Sequence, residues 1–117
     1  MKKLIVLLAA ALLVQCVNTK EELGDCPVLT APQISYSVHV YPIVAKTCAL
    51  PQCHTSDFEH GNFTRYEDLK KKADNGKLRF MIETHNMPHS FTDGPWYLTT
   101  CEIETIKKWI AEGAKNN

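Results

Sequence analysis

The chain has 117 residues, with 13 Lys and Arg side chains against 13 Asp and Glu, so its formal net charge is zero. This length predicts one folded domain and argues against a two-domain enzyme. The balanced charge argues against nucleic acid as a partner, because phosphate binding requires a clustered basic surface. Five cysteines in so short a chain are the unusual feature of the composition.

The first residues have the pattern of an export signal. Lys2 and Lys3 precede an apolar run from residue 4 to residue 14, which is shorter than the roughly 20 residues needed to cross the hydrocarbon layer. The run ends in Leu13-Val14-Gln15-Cys16, which resembles the lipobox of bacterial lipoproteins. That resemblance implies cleavage before Cys16 and acylation of its thiol. We therefore expect residues 1–15 to be a lipoprotein signal peptide.

The next segment has the composition of a linker between the lipid and the folded domain. Residues 17–33 have no apolar period and include Gly24, Pro27 and Pro32, a composition typical of linkers. We expect residues 16–33 to form a lipidated flexible tether and residues 34–117 to form the folded domain.

The rest of the chain predicts short helices in an all-α domain. A first helix is expected from Ser35 or Ser37 toward Cys48, where apolar residues recur at helical spacing. A second is indicated by Thr64 and Glu67, three residues apart in the pattern of a capping box. The pair Asn75-Gly76 is expected to end this helix.

Two further helices are expected in the C-terminal part. A short third helix is predicted from Lys77 to about Thr84. The last helix has the clearest pattern: Thr99 and Glu102 form a second capping box, and isoleucines recur at helical spacing until Gly113. No segment alternates as a strand would.

The residues best suited to binding a cofactor lie in the segment Cys48-Ala49-Leu50-Pro51-Gln52-Cys53-His54. Two thiols followed at once by an imidazole form the pattern of a haem-attachment site, in which the thiols bond the two vinyl groups and the histidine binds iron. The usual spacing has two residues between the cysteines, whereas this chain has four. The two extra residues must bulge outward, and Pro51 makes a loop there plausible.

Three features resemble the small class I type of cytochrome c domain, in the order that this family implies. The segment 40–44 precedes the motif like the family's leading helix, and Met87 follows His54 by 33 residues like the family's methionine ligand. The segment 106–114 resembles its closing helix. The resemblance implies a cytochrome c-like bundle of short helices around one covalently attached haem c, bound by Cys48 and Cys53, with His54 and Met87 on the iron.

Met87 has competitors for the sixth position on the iron. It lies between Asn86 and Pro88 in a predicted loop and not on a helical stripe, which favours a ligand over a core residue. His85 or His89 could bind instead, and a bis-histidine site would have a lower potential than a His/Met site.

Cys26 and Cys101 have no role in this interpretation, in which Cys16 is acylated and Cys48 and Cys53 bind haem. They could form a disulfide in an oxidising compartment, or Cys101 could be a small buried residue and Cys26 a free thiol.

Two other kinds of exported lipoprotein stay open. One is a structural zinc site made by Cys48, Cys53, His54 and either His85 or His89. The other is a ligand-binding protein without redox activity, stapled by a disulfide between Cys48 and Cys53.

No catalytic motif points to an enzyme. With both axial positions of the iron filled, the resemblance implies an electron carrier or a redox-complex subunit, with redox proteins as partners. We expect a lipid-anchored protein of the cell envelope that faces the periplasm or the cell surface. Val17 follows the acylated cysteine in place of the Asp that often retains lipoproteins at the inner membrane, which mildly favours the outer membrane.

Overall fold

A computed structural model describes residues 25–56, 58–88 and 98–117. These residues form a 3-10 turn over Pro27–Thr30, a π-helical turn over Tyr36–Val40, and four α-helices: α1 (Tyr41–Thr47), α2 (Tyr66–Asp74), α3 (Lys77–Glu83) and α4 (Thr100–Ala111). No strand occurs in these three ranges, so the predicted all-α class is confirmed. No helix among the described residues is long and apolar enough to span a membrane.

The first predicted helix consists of two parts. Ser35 begins it, because its hydroxyl oxygen accepts the Val38 amide proton at 3.2 Å. The π-helical turn passes directly into α1, and Pro42 lies in the first turn of α1. Because proline has no amide proton, Pro42 interrupts the helical hydrogen bonds at the junction where the pattern changes from π to α.

The prediction of a capping box at Thr64 and Glu67 is wrong. α2 begins at Tyr66, with Arg65 as an N-cap whose side chain makes no capping bond. Thr64 instead donates its hydroxyl proton to Asn62 Oδ1 at 2.6 Å and its amide proton to the same oxygen at 3.0 Å. This local turn competes with the cap, because an Asn side chain readily satisfies backbone donors two residues later.

α3 and α4 follow the sequence pattern closely. Gly76 takes a φ of +77° between α2 and α3, a conformation that glycine adopts without strain. The capping box of α4 is confirmed: the Thr99 hydroxyl accepts the Glu102 amide proton at 3.2 Å, and the Glu102 carboxylate accepts the Thr99 amide proton at 2.8 Å. α4 ends at Ala111, just before Gly113.

The core joins the first and last parts of the domain around Trp109, which is completely buried. Tyr36 stacks on Trp109 with ring centroids 5.6 Å apart, and Tyr66 meets Tyr36 edge-on at 5.0 Å. Two polar groups of this cluster donate to backbone carbonyls. Trp109 Nε1 donates to the Lys115 carbonyl at 2.9 Å, and the Tyr66 hydroxyl donates to the Ala114 carbonyl at 2.7 Å.

The folded body begins earlier than the sequence predicted. Cys26 and Cys101 form a disulfide with 5.6 Å between their Cα atoms, which attaches the N-terminal segment to α4. Lys108 Nζ donates to the Ala31 carbonyl at 3.0 Å, and Glu112 accepts the Ile34 amide proton at 2.7 Å. Residues 25–33, expected to belong to the tether, are therefore attached to the last helix. The predicted signal peptide and the predicted lipidation site, Cys16, lie outside the described residues.

Candidate functional site

Cys48 stands at the end of α1 and belongs to its hydrogen-bonded backbone. Its amide donates to the Val44 carbonyl at 2.8 Å, and its side chain is partly buried against the core. Burial raises the pKa of the Cys48 thiol, an effect that the neighbouring Thr47 hydroxyl partly opposes. Cys48 and Cys53 are both free thiols.

The four residues between the two cysteines form a loop in which Ala49 and Leu50 are partly buried. Pro51 and Gln52 are exposed, in keeping with the predicted bulge, and Gln52 takes a φ of +66°. The Cys53 amide donates to the Leu50 carbonyl at 2.9 Å. The loop is closed at its base, because the His54 amide donates to the Cys48 carbonyl at 3.0 Å.

The imidazole of His54 is held by a backbone carbonyl. His54 Nδ1 lies 3.2 Å from the Gly61 carbonyl oxygen. A carbonyl oxygen only accepts hydrogen bonds, so Nδ1 carries the proton and Nε2 keeps its lone pair. Burial lowers the pKa of His54 below its usual value, which favours the neutral form that metal binding requires.

Aromatic rings fix the plane of the same imidazole. The ring of Phe63 stacks on His54 with centroids 3.9 Å apart and an interplanar angle of 4°. Phe58 meets His54 edge-on at 5.1 Å. The Phe63 amide also donates to the His54 carbonyl at 2.9 Å. His54 is thus held at its ring, its Nδ1 atom and its backbone.

Gly61 is required as a glycine by its surroundings. Its φ is +112°, and a Cβ at this position would lie 3.2 Å from the ring of Phe63. The next amide, that of Asn62, donates to Asp68 Oδ2 on α2 at 3.1 Å. The sequence indicated a loop beside Gly61 but not its role at His54, because the contacts with Phe63 and Asp68 appear only in three dimensions.

Met87 lies on the turn after α3, where its amide donates to the Met81 carbonyl at 3.1 Å and its side chain is partly buried. His85, on the same turn, is exposed and has a φ of +55°. His89 lies outside the described residues. Cys48, Cys53 and His54 lie in one segment by sequence, and the His54 amide bonds to the Cys48 carbonyl. That Met87 faces His54 across a haem stays a prediction.

An open groove lies beside the His54 loop. It is lined by Phe58 and the 59–62 turn, by Arg65, and by Asp68, Lys71 and Lys72 of α2. None of the four predicted haem residues lines this groove. It is therefore not the slot that the haem interpretation requires.

The ligand atoms do not converge as they would in a zinc site. Within the described ranges, no three His, Cys, Asp or Glu side chains stand close enough together to hold one metal ion. Cys48, Cys53 and His54 therefore form no such group, nor does His85 join them. No family model, curated protein or solved structure matches the chain, so a functional assignment depends on this local geometry.

Proposed function

We propose that this chain is a membrane-anchored monohaem c-type cytochrome that transfers electrons. Cys48 and Cys53 would carry the porphyrin through thioether bonds, and His54 and Met87 would bind its iron. The observation that carries the proposal is the state of His54. Its Nδ1 proton is held by the Gly61 carbonyl, burial lowers its pKa and so favours the neutral ring, and its Nε2 lone pair is left for a metal directly after a free thiol in the sequence.

The donor set fits a haem better than it fits a bare metal ion. In a zinc site, thiolates and imidazole must all point at one atom. In a haem site, the thiols bond carbon atoms at the porphyrin edge while the imidazole binds iron at the centre, so the three groups need not converge. The lack of a convergent group among the described side chains therefore favours the haem proposal over the zinc alternative.

A bound haem would supply a one-electron change at iron, and the residues of this chain would hold that iron in one geometry. Phe63 and the Gly61 carbonyl restrict rotation of the His54 ring, which keeps the change in geometry on electron transfer small. Met87 would close the sixth position and leave no place for a substrate on the metal. The proposal is therefore electron transfer without an enzymatic step.

The same proposal includes the location. Acylation of Cys16 would attach the folded domain to a membrane of the cell envelope, with the outer membrane favoured by Val17. Two acyl chains anchor a protein stably, whereas one chain binds only marginally. Redox proteins in or on that membrane would be the partners, whether the domain moves between them or stays in one complex.

Covalent attachment is the direct test. The full chain is produced in a bacterium that has a cytochrome c maturation system, and the purified protein is extracted with acidified acetone. We expect the red pigment and the added mass of one haem to stay with the polypeptide. Cys53→Ala should lose one thioether bond, and His54→Ala should lose the pigment, while His60→Ala serves as the matched control. A colourless wild-type protein would overturn the proposal.

The sixth ligand has its own test in the haem-loaded protein. Met87→Ala should abolish the weak far-red absorption band of a thioether bound to ferric iron. Met81→Ala is the matched control, and His85→Ala tests the competing ligand. A band that is absent from the wild-type spectrum, or that survives Met87→Ala, would remove Met87 from the site.

A further inference from the structure

The peptide group between Gly61 and Asn62 connects His54 to a carboxylate on α2. The Gly61 carbonyl accepts the proton of His54 Nδ1 at 3.2 Å. The amide proton of the same peptide group, on Asn62, is donated to Asp68 Oδ2 at 3.1 Å. One planar unit therefore has an imidazole donor at one end and a carboxylate acceptor at the other.

Such an arrangement strengthens both of its hydrogen bonds. A negative acceptor at the amide end polarises the peptide group and makes its carbonyl oxygen a stronger acceptor. A stronger acceptor at Nδ1 increases the electron density of the imidazole and the basicity of Nε2, as carboxylate partners do for metal-bound histidines. Here the carboxylate would act at a distance, through the peptide bond.

Asp68 is well placed to be ionised and fixed for this role. Its side chain is only 14% exposed, and both Arg65 and Lys71 lie beside it. The hydrogen bond from Arg65 is the largest of the effects that lower the pKa of Asp68, followed by the bond from the Asn62 amide. The carboxylate belongs to the first turn of α2, so its position depends on the helix and not on the loop.

We propose that Asp68 is a positioning residue that acts on His54 through the Gly61–Asn62 peptide group and lowers the reduction potential of the haem. The inference rests on the proposed function for its effect on potential. An imidazole with more electron density stabilises ferric iron relative to ferrous iron, so the relay favours the oxidised state.

The first experiment uses the haem-loaded protein. Asp68→Asn keeps the shape of the side chain and removes its charge, and Glu67→Gln, at an exposed neighbouring position on α2, removes the same charge without a bond to the loop. Redox titration should show a more positive potential for Asp68→Asn. At a fixed potential, its reduced-to-oxidised ratio should exceed that of Glu67→Gln by about threefold or more. Equal ratios in the two variants would overturn the inference.

A second experiment needs no haem. Nitrogen NMR at about pH 8 reports which ring nitrogen of His54 carries the proton, with the signals assigned by their loss in His54→Gln. We expect the Nδ1–H form in the wild-type protein and a shift toward the Nε2–H form in Asp68→Asn. A wild-type protein in the Nε2–H form would overturn the relay even if Asp68→Asn failed to fold.

The two experiments separate the inference from the function on which it rests. A wild-type protein without covalent haem would refute the proposed function, and the NMR result would still decide whether the relay exists. A haem protein in which Asp68→Asn and Glu67→Gln have the same potential would refute the relay alone.

Discussion

The disulfide between Cys26 and Cys101 should be the largest single covalent contribution to stability. The two residues are 75 positions apart in the sequence. The chain-entropy relation for a cross-link that closes a loop of this length gives about 4.5 kcal/mol at 25 °C, and measured losses generally fall at about 2–4 kcal/mol. We therefore expect reduction to lower the free energy of unfolding by about 2–4 kcal/mol, a large part of the stability of a small domain.

Urea denaturation of the oxidised and the reduced wild-type protein measures this loss. The comparison is matched when any bound haem is ferrous in both samples, because a reductant that opens the disulfide also reduces ferric iron; the sequence and the thioether bonds are then the same in both. The double variant Cys26→Ser/Cys101→Ser should show a similar loss and should no longer respond to reductant. A difference below about 0.5 kcal/mol between the oxidised and the reduced protein would refute the reasoning, since it would mean that Lys108, Glu112 and the core hold residues 25–33 without the cross-link.

Three further predictions concern the remaining described contacts. Gly61→Ala should cost about 1–3 kcal/mol by urea denaturation, because a positive φ and a close ring both oppose the added methyl group; Gly76→Ala, with open space around its Cβ, should cost less. Tyr66→Phe should cost about 1 kcal/mol through its lost hydrogen bond, and Tyr41→Phe, at a more exposed ring, should be nearly neutral. Burial lowers the pKa of His54 below 6.5, so the unfolded haem-free chain takes up a proton before the folded chain does. Its urea midpoint should therefore fall as the pH drops below about 6.5, and an unchanged midpoint between pH 7.5 and pH 5.5 would contradict this.

The helices could be predicted where their signals are local. The ends of α4 depend on Thr99, Glu102 and Gly113, all within or beside the helix, and the structure places them as the sequence pattern indicates. The start of α2 could not be predicted in the same way, because Asn62 offers the Thr64 donors a competing acceptor. A capping box and an Asn turn use the same residue types, so the sequence alone does not decide between them.

The candidate site likewise combines features that the sequence predicts with features that it does not. The adjacency of Cys53 and His54 is visible in the sequence, and so is the place of Cys48 at the end of a helix. The environment of the imidazole is not, because Phe63 and Gly61 reach His54 from seven or more residues further along the chain. Both residues lie in a loop that Asp68 of α2 holds by accepting the Asn62 amide proton. Such a loop has no periodic sequence pattern from which it could be predicted.

The long spacer between the cysteines need not reduce the precision of a haem site. His54 is fixed relative to Cys48 by a direct bond from its amide to the Cys48 carbonyl at 3.0 Å, and this bond bypasses the four intervening residues. The thiol of Cys48 depends on α1 for its position, and the ring of His54 depends on the loop that contains Gly61. Pro51 and Gln52 therefore protrude from a base that is closed without them. The four-residue spacing is therefore compatible with an imidazole held as firmly as the proposed electron transfer requires.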